Sequence, residues 1–283
     1  MIINVVIPVF NRLNETKNII GDLRKQITNK KIKIFVINDG SSDGTAEWLK
    51  NQKDINVLNG NGSLYWAGAV NKAINHILNK ENNNYDWILL LNNDVTIEKN
   101  YIDNLLKVGI KFFPAAVGSV IKNKYTKKLI SVGPKVLPWR LEIDDLIAKD
   151  FIENKKKVIT DVDALSGRGV LFPIRSIIDS KGFKPLLLPH YFADYELSIR
   201  VKKKGYKLVT SLSSIVYSSE DFDQVIKNRK KENLFHKLFS RKSSSLIYAK
   251  FLFWWEASNK IQRISLPLRI FLFIISPGLR KKL

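Results

Sequence analysis

Asn92-Asn93-Asp94 sets two amides and a carboxylate at the end of an apolar run, Trp87 to Leu91. Ile88 to Leu91 show no alternation, the pattern of a parallel strand covered on both faces. In open α/β sheets, ligands bind just outside the carboxyl ends of such strands. A carboxylate at that place suits a hard cation and the phosphates it neutralises. The plain alternative is a polar turn leaving a strand, since Asn and Asp are common in turns.

The elements that must position this turn repeat along the first hundred residues. Ile2 to Val9 reads as a strand stopping at Phe10-Asn11. Asn14 is the expected N-cap of a helix whose inner face is Ile19, Ile20, Leu23 and Ile27. Ile32 to Ile37 is the next strand, and Asn38 to Gly44 is turn chemistry leading into a short helix, Thr45 to Lys50. After Asn59-Gly60-Asn61-Gly62 comes a helix with Trp66, Ala69, Val70, Ala73, Ile74, Ile77 and Leu78 on one buried face, so Trp66 is read as core. Strands alternating with helices predict βαβ units and a mainly parallel sheet. Lys107 to Asp161 is less regular, and an edge strand and an insertion are expected there. Ser166 to Phe172 reads as a strand entered through a glycine loop, and Ala193 to Lys204 as a helix closed by Gly205.

At 283 residues the chain can bury a full core, and one large α/β domain with an appendage is expected. There is no cysteine, so any metal must be held by oxygen or imidazole. The net charge of +21 favours polyanionic partners: nucleic acid, anionic lipid or phosphate-bearing substrates. The chain opens directly into a strand, so no signal peptide is expected. From Gln224 onward there are fourteen Lys or Arg and only two acids, interleaved with Phe251 to Trp255 and Ile270 to Ile275. No apolar run reaches the ~20 residues that span a bilayer. Basic charge beside Trp and Phe suits a helix lying in the interface of an anionic membrane. The alternative is a helical appendage that packs those aromatics onto the main domain.

Five features stand in chain order: Pro8-Val9-Phe10-Asn11-Arg12; Asn38-Asp39-Gly40-Ser41-Ser42-Asp43-Gly44-Thr45; Asn59-Gly60-Asn61-Gly62 with Ala67-Gly68-Ala69-Val70-Asn71; Leu91-Asn92-Asn93-Asp94; and Ala193-Asp194-Tyr195-Glu196-Leu197 with Arg200. In order and spacing they resemble the family 2 glycosyltransferases of GT-A fold, in particular the bacterial, rhamnosyltransferase-like branch that assembles surface polysaccharides. The resemblance covers about residues 1 to 217, and implies a GT-A domain there with a basic helical extension over 218 to 283. It implies that Pro8, Phe10, Asn11, Arg12 and Asp39 hold the donor nucleotide, with Asp39 accepting the imide N–H of uracil or thymine. Gly60 and Gly62 would let the backbone approach the nucleotide. Asn71, from the first turn of its helix, and Asn93 would complete the donor side. Asp39 as a loop-capping carboxylate and Asn71 as a helix-surface amide are the alternatives.

Asp94 matches the residue that touches Mg²⁺ or Mn²⁺ in the family, whose first acid is Asn92 here. Asp194 matches the catalytic base, in a pattern that lacks the family's preceding acid because Ala193 stands there. Gly167, Arg168 and Gly169 would line the acceptor side, with Arg168 a candidate for a phosphate. His190 and Glu196 are further acceptor-side candidates, against a structural histidine and a helix-start charge. Many relatives carry a metal-ligating His after the base; Ile215 to Ser219 has none, and the sequence does not decide whether His236 substitutes. The implied activity is inverting transfer from a UDP- or dTDP-sugar to a glycan hydroxyl, the acceptor being lipid-linked, on the inner, cytoplasmic face of the cell membrane. A sugar-nucleotide nucleotidyltransferase is a competing reading, but Val9 to Arg12 lacks its glycines. A nucleic-acid binder rests on charge alone, with no recognised base-reading module, so nucleic acid is not an expected partner.

Overall fold

The computed structural model describes residues 1–80, 85–144, 157–160, 162–219 and 246–275. Its main sheet runs from one edge to the other through β10 (Val158–Ile159), β12 (Lys207–Ser218), β6 (Ala115–Asn123), β11 (Val170–Pro173), β4 (Trp87–Leu90), β1 (Ile2–Val9), β2 (Lys31–Asn38) and β3 (Ile55–Asn59). β5 (Val95–Ile97) pairs with β12, and β7 (Leu129–Ser131) with β6. The strands β4, β1, β2 and β3 are parallel, as are β6 and β12, whereas β11 runs antiparallel between β4 and β6. The expected α/β class with a mainly parallel sheet is what the chain forms.

Apolar residues on both faces of the central strands β1, β4 and β11 explain the double cover. In β1, Val6 joins the layer of α3 (Tyr65–Lys80), α5 (Ile174–Asp179) and α6 (Ala193–Lys203). Its neighbours Ile3, Val5 and Ile7 join the opposite layer, with α1 (Leu13–Arg24), α2 (Thr45–Lys50) and α4 (Tyr101–Lys111). Three local expectations need correction. Arg12, not Asn14, is the N-cap of α1, and it has left-handed dihedrals. The first helical N–H, on Leu13, is satisfied by the Asp43 carboxylate at 2.8 Å from the neighbouring loop, so no local cap is needed. Ile27 lies beyond the helix and is exposed. In the 107–161 segment β10 is an edge strand, but β6 is interior and buried through Ile121; its small residues hide the strand pattern.

The C-terminal helices α7 (Ile247–Ala257) and α8 (Lys260–Ile275) pack against α6 and the hairpin of β8 (Lys135–Leu137) and β9 (Glu142–Asp144). Phe253 and Trp254 are buried there, with Phe192 stacked on Phe253 at 4.9 Å. Those two aromatics therefore serve packing, as the appendage alternative has it. The outer face of α8 differs: Ile261, Ile264, Leu268 and Phe271 are 57–84% exposed. The basic run from Lys227 to Lys242, and His236 within it, lie outside the described residues.

Candidate active site

Strand register gathers the polar motifs at one sheet edge. Parallel pairing aligns Val9 with Asn38, Asn38 with Asn59 and Val6 with Leu90, so the loops after β1, β2, β3 and β4 all leave on the same side. Antiparallel β11 enters there, Val170 opposing Leu90, which sets residues 166–169 beside Asn92 to Asp94. The end of β12 also returns to this edge: the N–H and hydroxyl of Ser219 donate to the Asp94 carbonyl at 3.1 and 2.9 Å.

At the end of β2, Asp39 is buried and caps the following loop, accepting the N–H of Gly62 at 2.8 Å and of Leu64 at 2.9 Å. Each oxygen keeps a second lone pair for a ligand. Gly60 is glycine for Asp39's sake, because a Cβ there would lie 2.2 Å from Asp39 Oδ1. Asn11 ties two loops, its N–H donating to Ser41 Oγ at 2.8 Å and its amide oxygen accepting from Ser42 N–H at 2.9 Å. Pro8 is half-buried at the end of β1, and Phe10 is 54% exposed, an open aromatic face at the mouth. Asn71 sits in the second turn of α3, not the first, because the helix begins at Tyr65. Its amide faces Gly182, 3.5 Å from where a Cβ on that glycine would stand.

Asp94 Oδ2 pairs with Arg12 Nη1 at 3.0 Å, while its Oδ1 is buried with no hydrogen-bond partner among the described residues. Asn92 accepts the indole N–H of Trp66 at 2.9 Å, and Asn93 donates to Thr16 Oγ1 on α1 at 3.2 Å. A cleft of about 180 Å³ opens beside Asp94, lined also by Glu15, Asn18, Lys124 and Tyr125. No group of three His, Cys, Asp or Glu suited to a metal occurs among the described residues. The orphaned carboxylate oxygen fits a cation held jointly with a ligand's phosphate oxygens, not one caged by protein alone.

Asp194, on the first turn of α6, accepts the N–H of Gly167 through Oδ2 at 2.8 Å and of Tyr195 through Oδ1 at 2.9 Å. Its carboxyl titrates above the ordinary aspartate value because burial disfavours the charged form; those two N–H bonds and the nearby Arg168 pull the other way. The glycine loop thus holds the Asp194 carboxylate. Gly169 turns inward, its carbonyl accepting from Ser119 Oγ at 2.7 Å. Glu196 is buried and spends its oxygens on Lys184 and Arg200, each at 2.7 Å, bracing α6 against residues 180–184. His190 is exposed and meets Tyr191 edge-on at 4.8 Å.

Trp66 packs against the core, as its helix pattern implies, but its polar tip also reaches the turn before Asp94. Half-buried, it bonds Asn92 and lies so close to Gly167 that a Cβ there would stand 2.3 Å from its ring. It therefore spans the Asp94 turn and the loop that holds Asp194. Its signal was its polar tip: an indole N–H near a sheet edge needs an acceptor.

Residues 4–171 match the family model "Glycosyl transferase family 2". Among solved structures the fold is similar to S. aureus TarS 1-349 in complex with UDP-GlcNAc, at TM-score 0.65 and 11% identity over 99% of this chain and 75% of that one. It is also similar to S. aureus TarS (0.61, 13%, 99% and 45%) and to GalNAc-T7 with UDP, GalNAc and Mn²⁺ (0.61, 13%, 99% and 57%). The chain thus spans less than half the length of that TarS chain. Identity this low makes these likenesses of fold, the GT-A arrangement, while the family model spans more than half of the 283 residues. The chain belongs to glycosyl transferase family 2.

Proposed function

We propose that the protein is an inverting glycosyltransferase that moves a sugar from UDP or dTDP to a hydroxyl of a lipid-linked glycan, in surface-polysaccharide synthesis. The carrying observation is Asp194, a carboxylate of raised pKa held by Gly167 on the loop beside Asn92 to Asp94. The acceptor hydroxyl loses its proton to Asp194 as its oxygen bonds to the anomeric carbon. The bond to the diphosphate breaks with its electron pair leaving on phosphate, so the anomeric configuration inverts in one displacement. Phe10 and Asp39 hold the nucleotide base, Asp39 through its remaining lone pairs, and Arg168 serves a phosphate. Asp94 would hold Mg²⁺ or Mn²⁺, which when bound offsets charge on the leaving diphosphate. UDP-GlcNAc in one structural neighbour and UDP with Mn²⁺ in another support a UDP donor and a metal.

The test is a panel of UDP- and dTDP-sugars, with and without a polyprenyl-diphosphate glycan, read by nucleotide release. One donor should turn over, and EDTA should abolish the release; no binding of any nucleotide sugar would overturn the reading.

We also infer peripheral attachment to an anionic membrane through α8. Among the described residues no helix is long and apolar enough to cross a membrane. Ile261, Ile264, Leu268 and Phe271 repeat at intervals of three and four, forming one exposed apolar stripe on a helix that carries no acid. Arg263 and Arg269 lie over Trp255 and Trp139, each 5.0 Å from the ring, at the stripe's borders. A basic, tryptophan-edged stripe suits an anionic, cytoplasmic leaflet. Replacing Ile264 and Leu268 by Glu should weaken binding to phosphatidylserine vesicles at least about tenfold, since each side chain contributes roughly 1.5–3 kcal/mol when buried. Unchanged vesicle binding, or a concentration-dependent dimer lost in the same variant, would assign the stripe elsewhere.

A further inference from the structure

Arg12 is a cation already seated on the carboxylate that the proposed metal would use. Its guanidinium reaches across 82 residues of sequence to Asp94 Oδ2 at 3.0 Å. It is held there by a local lattice of bonds. Arg12 adopts a left-handed conformation at φ 66°, uncommon for a residue with a Cβ, at the entrance to α1. Its carbonyl accepts from Thr16 N–H at 3.0 Å and Thr16 Oγ1 at 2.9 Å. Thr16 Oγ1 in turn accepts from the Asn93 amide at 3.2 Å, the residue before Asp94. The strained turn is thereby locked to the turn that carries the carboxylate, and the side chain has a short, fixed path to it. Asp94 is nearly buried, 9% exposed, and among the described residues its other oxygen has no hydrogen-bond partner and Arg12 supplies its one ion pair.

We propose that Arg12 is a resident counter-cation that makes metal binding depend on donor binding. This rests on the glycosyl-transfer reading above. In the free enzyme, Arg12 neutralises Asp94 and lowers its affinity for a divalent cation, because two positive groups compete for one carboxylate. When a nucleoside diphosphate enters, Arg12 gains a second anionic partner that matches its planar fork and yields Asp94. Diphosphate and metal then bind with positive coupling, and by linkage each raises the affinity of the other by the same factor. The absence of a second acid at Asn92 fits this arrangement: with one carboxylate, the guanidinium balances the turn before the donor arrives.

The test measures Mn²⁺ binding to the full chain by the electron-spin-resonance signal of free Mn²⁺, with and without UDP. Wild type should bind Mn²⁺ weakly alone and more tightly with UDP. In Arg12→Gln, Mn²⁺ alone should bind roughly threefold to fivefold more tightly, the size of a half-exposed ion pair, and the UDP enhancement should shrink by at least as much. Arg12→Lys keeps the charge and should return Mn²⁺ affinity toward wild type. Arg12 is 55% exposed, so neither variant disturbs the core, and circular dichroism would verify this. If Arg12→Gln binds Mn²⁺ no better than wild type while wild type still couples Mn²⁺ to UDP, Arg12 is not the competitor and only this proposal fails. If folded wild type binds none of UDP, dTDP and Mn²⁺, the glycosyl-transfer reading fails and takes this one with it.

Discussion

Asp194→Asn should lower sugar transfer by about 10²- to 10⁴-fold, the range for loss of a general base, while leaving donor affinity within about twofold. Asn keeps the shape and one acceptor for the N–H groups of Gly167 and Tyr195, but cannot take the acceptor's proton. The pH profile carries the sharper signature. Burial raises the Asp194 carboxyl above the ordinary aspartate value of about 4. The base must be ionised to work, so wild-type activity should fall on acidification at a pH above the usual carboxylate range. Stability has the opposite sign. A carboxyl whose folded-state pKa is raised contributes stability that is present below its unfolded pKa and lost as pH rises through the folded one. The difference in melting temperature between wild type and Asp194→Asn should therefore move in favour of wild type as the pH is lowered. A variant that retains most of its turnover, or a profile whose acid limb sits at an ordinary carboxylate pH, would remove Asp194 from the role of base.

Much of this fold was legible because a doubly covered sheet writes itself into sequence. Val5, Val6 and Ile7 are all buried, since one face meets α1 and the other α3, and an unbroken apolar run is what that demands. The polar residues ending each run were legible for the same reason: once the strands are parallel, their carboxyl ends must converge. What sequence could not show were relations across the sheet. β11 carries the same apolar residues whichever way it runs, yet only its antiparallel pairing with β4 brings Gly167 beside Asn92. Glu196 looks like a helix-start charge until Lys184 and Arg200 close on it from the loop and the next turn. The Arg12–Asp94 pair joins two motifs whose spacing in sequence says nothing of contact. Likewise the aromatic tail divides by geometry, Trp254 inward and Trp255 outward, where the sequence offers two adjacent tryptophans.

Gly167→Ala tests the link between the two halves of the site, and a single methyl should cost about a hundredfold in turnover. A Cβ at 167 would lie 2.3 Å from Trp66 Cζ2 and 2.6 Å from Cη2, closer than carbon atoms can approach. Trp66 cannot swing aside cheaply. Its indole N–H is bonded to Asn92 at 2.9 Å, and its ring meets Phe183 edge-on with centroids 5.5 Å apart. The loop must therefore move, and with it the N–H that fixes Asp194 Oδ2. Displacing a reacting group by about 1 Å is enough for a loss on the order of 10²-fold in rate, and overpacking of this kind costs about 1–3 kcal/mol in stability. The two effects separate in the double variant with Trp66→Leu. Removing the ring relieves the clash, so the stability losses should be less than additive, the mark of residues in contact. Turnover should stay low, because Asn92 and the loop then lack the indole between them. Additive stability losses would mean that the methyl is accommodated elsewhere. Wild-type turnover in Gly167→Ala would mean that Asp194 does not depend on this loop for its position.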